Sequence, residues 1–242
     1  MFILYLYLYF DTVNKGSEVM ETIIYLVALL ITLGASIGVK TTYNKYKKVK
    51  NKNNLTGFDV ARKILDINGL SNVLVLETQG ELSDHYDPEK KCVKLSTEIF
   101  HDTTVASIAV AAHECGHAIQ DKEGYSFLRF RSKLFPVVNL SSKLGYVALI
   151  IGLLAGITEL LYFGIVCEIV ILLFQLVTLP VEFNASNRAL DIILKNGMVD
   201  TKEKDGAKSM LTAAAMTYVA SVISALLQIL RLVIIARSND RR

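Results

Sequence analysis

Apolar residues in this chain are gathered into a few long runs instead of being spread evenly as a soluble core requires. The run from Ile23 to Val39 is interrupted only by Thr32 and Ser36. With Glu21 and Thr22 it reaches the ~20 residues that cross a hydrocarbon layer. Two further runs, Leu144 to Ile157 and Leu160 to Leu179, are separated by Thr158-Glu159 and predict a helical hairpin. The first of them needs residues from about Val137 onward to span, which takes in Lys143, a side chain long enough to snorkel. Glu168, inside the second, is costly in lipid and should face protein. A helix from about Thr201 leads into a last run, Tyr218 to Ala236, which contains Arg231 and is either a fourth span or an interfacial helix. The stretch Met1 to Phe10 is apolar but short of a span, and the natural start is either Met1 or Met20.

Between the runs the pattern changes. Leu55 to Gly69 reads as a helix with Thr56 as N-cap, Asp59 three residues on, Leu55 stapling against Val60, and Gly69 as the stop. Asn72 to Glu77 and Cys92 to Leu95 are short strand candidates, and the Asp87-Pro88 turn between them predicts a hairpin. A helix then runs from about Thr103 or Thr104 to Asp121 and closes at Gly124. Its first half, Val105 to Ala112, is apolar nearly all round, which marks a buried core helix too short to span a membrane.

The fold expected is therefore mainly α (α+β): a helical membrane protein with a region outside the bilayer that contains a small β-hairpin or sheet. The divisions are an N-terminal extension over 1–19, a first span over 20–39, and a region outside the membrane over 40–136 that carries the small strands and the buried helix. A membrane hairpin over 137–179, a polar helical segment over 180–216, and the last apolar helix with its basic tail over 217–242 complete them.

Hydrophobic residues make up 52% of the 242 residues, consistent with several spans, and the net charge of +3 is too small to suggest a nucleic-acid partner. The distribution of that charge says more. Lys40, Lys45, Lys47, Lys48, Lys50 and Lys52 follow the first span at once, and lysine-rich flanks stay on the cytoplasmic side. The expected location is a cell membrane, multi-pass, with the region over 40–136 facing the cytoplasm. Cys92, Cys115 and Cys167 match no zinc knuckle or redox pair and read as reduced thiols.

The chemistry is concentrated in His113-Glu114-Cys115-Gly116-His117. Residues four apart on an α-helix are separated by ~40° around the axis, so His113 and His117 leave one face a turn apart and can share a zinc ion. Glu114, offset by ~100°, comes beside the metal as a general base for a water molecule, so the region over 40–136 is expected to be a zincin-like, cytosolic catalytic region. Cys115 points away from that face and reads as a core thiol, while Gly116 leaves room for a neighbouring element. A chance HExxH in a chain with so few histidines has odds below about one in a hundred. A catalytic zinc needs a third protein ligand, and the best candidate is Glu182. Pro180 is suited to start a helix, on which Glu182, Ser186 and Ala189 would line one face.

Several stretches occur in the order of a known family. They are Lys40 to Tyr46, Leu55-Thr56-Gly57, Asp84 to Pro88, Ala111 to Gln120, Leu179 to Phe183, and Ala213 to Tyr218. From about Met20 to Ala236 the chain resembles the YugP-type neutral zinc metallopeptidases of bacterial membranes. The resemblance implies a membrane peptidase with zinc held by His113, His117 and Glu182 and with Glu114 as general base. One departure stands out: the family commonly carries Glu-Phe-Asp-Ala-Ser after the third ligand, and this chain has Asn184 in place of the Asp. If that carboxylate orients a histidine ligand, an amide does so less strongly. Asn184, Ser186, Arg188, His85, His101 and Tyr218 are the further candidates for groups that orient the ligands or meet the transition state.

The expected function is zinc-dependent cleavage of a peptide or membrane-protein substrate at the lipid bilayer. Alternatives are an intramembrane metalloprotease, against which stand the flanking Asp102 and Asp121, and a non-catalytic zinc-binding scaffold or regulator. A metal transporter would need polar ligands within the spans, where there are few. The strand at Cys92 to Leu95 is a candidate edge for an extended peptide.

Overall fold

The computed structural model describes the backbone of residues 2–240 and the side chains from residue 16 on, residue 17 excepted. The apolar stretch over 1–10 lies outside the residues whose side chains are described, as do Arg241 and Arg242. Seven helices and one three-stranded sheet make up the described residues. Among the described residues four helices are long and apolar enough to cross a membrane: α1 (Phe2–Tyr46, over its Glu18–Tyr46 part), α5 (Ser126–Ala155), α6 (Thr158–Lys195) and α7 (Thr201–Asn239). The expectation of a mainly helical chain with a small sheet holds.

One compact unit comprises Ala35–Arg131 and Val177–Tyr218. Its short elements are α2 (Gly57–Ile67), β1 (Leu74–Thr78), β2 (His85–Asp87), β3 (Cys92–Ser96), α3 (Thr97–His101) and α4 (Val105–Glu123). Local signals set their ends. Thr56 Oγ1 accepts from the Asp59 amide, and the Asp59 carboxylate accepts from the Thr56 amide, the reciprocal pair expected from Thr-x-x-Asp. Thr104 caps α4 by accepting from the Ser107 amide, and Gly124 ends it in the left-handed conformation at φ 66°. That region is strained for any residue with a Cβ, so glycine is the natural stop there.

The sheet differs from the expected hairpin. The strand order is β1-β3-β2, with β1 parallel to β3 (Leu74 opposite Cys92) and β2 antiparallel to it (Tyr86 opposite Val93). The Asp87-Pro88 turn thus joins β2 to β3, and β2 is too short and too polar to show an alternating pattern. β3 is the central strand, with Cys92, Val93, Leu95 and Ser96 buried. It offers no edge to an extended peptide, which corrects that expectation.

This unit's core is formed by α4 and what surrounds it. Val60, Ala61, Ile64 and Leu65 of α2, Val93 and Leu95 of β3, and Ile99 of α3 pack with the buried positions of α4. Ala189 and Ile193 of α6 and Ala207, Met210 and Leu211 of α7 close the same cluster.

The other unit comprises Met1–Gly34, Ser132–Leu176 and Val219–Arg242. The α5 and α6 segments approach closely at small residues. A Cβ on Gly145 would stand 2.6 Å from the Cys167 Cβ, and one on Gly164 would stand 2.3 Å from a Leu149 methyl carbon. Leu149, Leu161, Ile165, Leu232 and Ala236 form its buried cluster. Thr32 and Ser224 share a hydrogen bond at 2.9 Å, and the Arg231 guanidinium lies 5.1 Å from the centre of the Tyr25 ring. A cation inside an apolar helix is thus placed over an aromatic face.

Candidate metal centre

Helix α4 turns His113, Glu114 and His117 toward α6 and β2. The two imidazoles stand one turn apart with ring centres 4.8 Å from each other and planes at 84°. Glu182 of α6 completes the group: its Oε2 is 3.3 Å from His113 Nε2 and 3.5 Å from His117 Nε2. The three ligand atoms all lie within 4.8 Å of one another. Side-chain exposure is 14% for His113, 12% for His117 and 3% for Glu182. Water is therefore largely kept from the group.

Two close contacts between α4 and α6 create this arrangement. Gly116 lies against Ala185, where a Cβ would stand 2.7 Å from the Ala185 carbonyl oxygen. Gln120 reaches across to the Val181 carbonyl. Pro180 does not start α6, as the sequence reading had it; the helix runs through it. Proline lacks the amide that would bond the carbonyl four residues back, a loss normally found at a helix start. The segment after it still presents Glu182, Ser186 and Ala189 on one face.

The donor set passes a simple test of fit. Glu182 Oε2 is buried and has no hydrogen-bond partner, despite its nearness to two imidazole nitrogens. An orphaned carboxylate oxygen in a protein interior is costly unless something positive meets it. Two imidazoles and one carboxylate converging from two helices match the ligands of a catalytic zinc site, which keeps a further position open. Glu182 Oε1 is separately accounted for by Arg131 Nη1, at 3.1 Å. The two oxygens thus have different surroundings, one anchored by α5 and one facing the two imidazoles.

Electrostatics point the same way. Burial alone would lower the His117 pKa, but the neighbouring Glu182 and Glu114 carboxylates outweigh it and hold the imidazole above its ordinary value. Asp84 is raised by burial, against hydrogen bonds from the Ser96 amide and hydroxyl, with Glu114 adding to the rise.

Glu114 is buried, and its Oε2 accepts from the Tyr86 amide of β2 at 3.0 Å. The Tyr86 phenol donates to Asp121 Oδ2 at 2.7 Å, further along the same helix. Strand β2 is therefore tied to α4 by main chain and side chain at once.

The remaining candidates divide. Ser186 Oγ lies 3.2 Å from His113 Nδ1, and Asn184 Oδ1 accepts from Gln120 Nε2 at 2.9 Å and from Arg188 Nε at 2.7 Å. Arg188 also pairs with Glu123 at 2.7 Å. Tyr218 lies within the electrostatic reach of Glu182, Arg131 and Glu114. His85 and His101 are not brought to the group: the first is exposed and bonded to the Ser83 carbonyl, the second is paired with Glu77. Two residues escaped the sequence reading. Arg131 gave no signal, since an arginine at the start of an apolar helix reads as a membrane flank. Gln120 was detectable, because a polar residue three positions after His117 shares its helix face.

Cys115 faces the opposite way, buried, with its Sγ 3.6 Å from the Ala61 carbonyl of α2. Burial, with Glu114 adding, pushes its thiol far above the ordinary range, so it stays protonated and unreactive. A maleimide added to the folded protein should leave Cys115 untouched and modify it only after denaturation, as read by mass spectrometry. Rapid labelling in the folded state would contradict this orientation of α4.

Comparison with known proteins was consistent with the geometry. A family model described as "Putative neutral zinc metallopeptidase" matches residues 21–237. The chain is 43% identical over 208 residues to a Bacillus subtilis (strain 168) protein named "Putative membrane protease YugP", which covers 86% of this chain and 92% of that one. No solved structure matches.

Proposed function

Since the chain belongs to the neutral zinc metallopeptidase family, we propose that it is a membrane-anchored endopeptidase whose zinc is held by His113, His117 and Glu182 and whose general base is Glu114. The observation that carries the reading is the buried Glu182 Oε2, unpartnered and facing two imidazole Nε2 atoms.

Zinc, when bound, supplies Lewis acidity to a water molecule and to the scissile carbonyl. The chain supplies the rest. Glu114 takes a proton from the attacking water and returns it to the leaving amine, and the Tyr86 amide holds its carboxylate in place for both transfers. Arg131 restrains Glu182 through Oε1, and Ser186 restrains the His113 ring. Tyr218 stands beside Glu182, near enough to meet a developing charge, and Arg188 stands outside this set, bonded to Asn184.

Arg131, Glu182 and Tyr218 belong to helices long and apolar enough to cross a membrane, whereas α4 is not such a helix. That favours membrane-protein substrates over freely soluble peptides, with α4 itself outside the bilayer. The exposed lysines after the α1 apolar run favour a cytoplasmic site.

The test is metal dependence. Protein purified in detergent should carry about one zinc ion per chain. Its hydrolysis of an unfolded membrane-protein substrate should stop when a chelator strips the metal and return when zinc is restored. Hydrolysis that persists in fully stripped protein would sink the proposal.

A further inference from the structure

Gln120 has no exposed surface, and both ends of its side chain are engaged. Nε2 lies 2.8 Å from the Val181 carbonyl oxygen and 2.9 Å from Asn184 Oδ1, while Oε1 lies 3.0 Å from His117 Nδ1. These contacts fix the direction of every hydrogen bond. A main-chain carbonyl can only accept, so the amide nitrogen must be the end that faces Val181. Oε1 then faces His117, and because it too can only accept, His117 Nδ1 must carry a hydrogen. The other ring nitrogen, the one 3.5 Å from Glu182 Oε2, is left to offer its lone pair.

His113 has no such instruction. Its partner Ser186 is a hydroxyl, which donates or accepts with equal ease. Gln120 is therefore the residue that specifies a tautomer in this centre. Its two donors reach α6 at positions 181 and 184, on either side of Glu182, so one side chain links two members of the metal-binding group.

Resting on the reading of His113, His117 and Glu182 as zinc ligands, we propose that Gln120 is the positioning residue of the centre. Its oxygen holds His117 in the form that can ligate, and its nitrogen registers α4 against the turn of α6 that carries Glu182. This also gives Asn184 its meaning. The oxygen of Asn184 receives two donors, Gln120 Nε2 and Arg188 Nε, and an Asp would offer an oxygen to the same two. The amide keeps both hydrogen bonds and removes a charge that lies one residue beyond the histidine, not beside it. Arg188 retains an anionic partner in Glu123.

Two substitutions separate the halves of the Gln120 amide. Gln120→Glu keeps an acceptor for His117 Nδ1 and loses both donors, while Gln120→Met keeps the volume and loses both functions. Zinc affinity of the purified full chain is measured by competition with a chromophoric chelator, and thermal unfolding of the zinc-free chain reports the link between helices. Both variants should unfold at lower temperature than the natural chain. Gln120→Met should weaken zinc binding by roughly 10–100-fold, the usual effect of removing a residue that orients a metal-bound histidine, and Gln120→Glu, which loses only the link between the helices, should weaken it less. Equal weakening by both variants, or no weakening by Gln120→Met, overturns the proposal while leaving the zinc site intact. A natural chain that binds no zinc overturns the metal-site reading itself, and this inference with it.

Discussion

Replacing Glu114 by Gln is expected to leave zinc binding and the fold in place and to lower peptide hydrolysis by about 10²–10⁴-fold, the usual contribution of a positioned acid–base group. The physical reason is that Glu114 does not belong to the group of three converging ligand atoms. It approaches from one residue along the helix, with its carboxylate bonded to the Tyr86 amide. An amide oxygen accepts that same hydrogen bond, so the local structure survives. What the amide lacks is basicity, and it can neither take the proton of an attacking water nor hand it on. The substitution even removes a repulsion, since Asp84 lies close enough for the two carboxylates to disfavour each other. Rate and metal content should be measured on the same preparation. If Glu114→Gln keeps its zinc and its full hydrolytic rate, another group is the base. If it abolishes zinc binding, Glu114 is part of the ligand set. If every cellular effect of the chain survives the substitution, proteolysis is not its function and the scaffold reading takes over.

The second large effect is expected from the smallest change, Gly116→Ala. On an ordinary exposed helix position this substitution stabilises by about 1 kcal/mol, because alanine loses less backbone freedom than glycine. Here the sign reverses. The new methyl would lie 2.7 Å from the Ala185 carbonyl oxygen and 3.2 Å from its Cα, main-chain atoms that cannot step aside as a side-chain tip can. Relief requires α6 to back away from α4. Overpacking of this kind costs about 1–3 kcal/mol, more than the helix gains. Ala185 sits between Glu182 and Ser186, so the displaced segment is the one that carries the proposed third ligand and the partner of His113. Gly116→Ala should therefore lower both the thermal unfolding temperature and the affinity for zinc. A variant that is more stable than the natural chain and binds zinc equally well would show that the helices have slack at this contact.

The parts of the fold legible in the sequence were those written by local chemistry. Thr56 with Asp59, Thr104 at the head of α4 and Gly124 at its end are short-range signals, because a cap is satisfied within a few residues of itself. The spacing of His113, Glu114 and His117 is local too, which is why the motif was readable without any tertiary information. The run lengths of the apolar segments likewise announced three helices long enough to cross a membrane and left the last run open between a span and an interfacial helix; all four are long and apolar enough among the described residues.

What escaped was set by contacts between distant segments. Nothing within β1 or β3 distinguishes a parallel pair from a hairpin, and β2 has only three residues in which to reveal itself. Pro180 is a helix-start signal judged alone and lies mid-helix here, since α6 continues on both sides of it. Arg131 finds Glu182 across 51 positions, a partnership that spacing cannot predict. The importance of Asn184 was visible as a departure from a familiar pattern, but its route to His117 through Gln120 needed two helices side by side. Glu182 lay between these cases. Its face on α6 was readable, and its meeting with the histidines was an inference from where both helices had to end.

One property of α4 bears on how the centre comes into being. Ala106, Ala109, Ala111, Ala112 and Ala118 have no exposed surface, so much of the wall that encloses this helix meets methyl groups. An alanine has no rotamers to lose when the chain condenses around it, whereas a larger side chain surrenders up to about 2 kcal/mol of conformational freedom. Helix α4 is thus seated at little side-chain entropic cost, and an incoming ion meets imidazoles already aimed instead of having to gather them from a mobile chain. Binding energy that would have gone into ordering the protein is left for holding the metal.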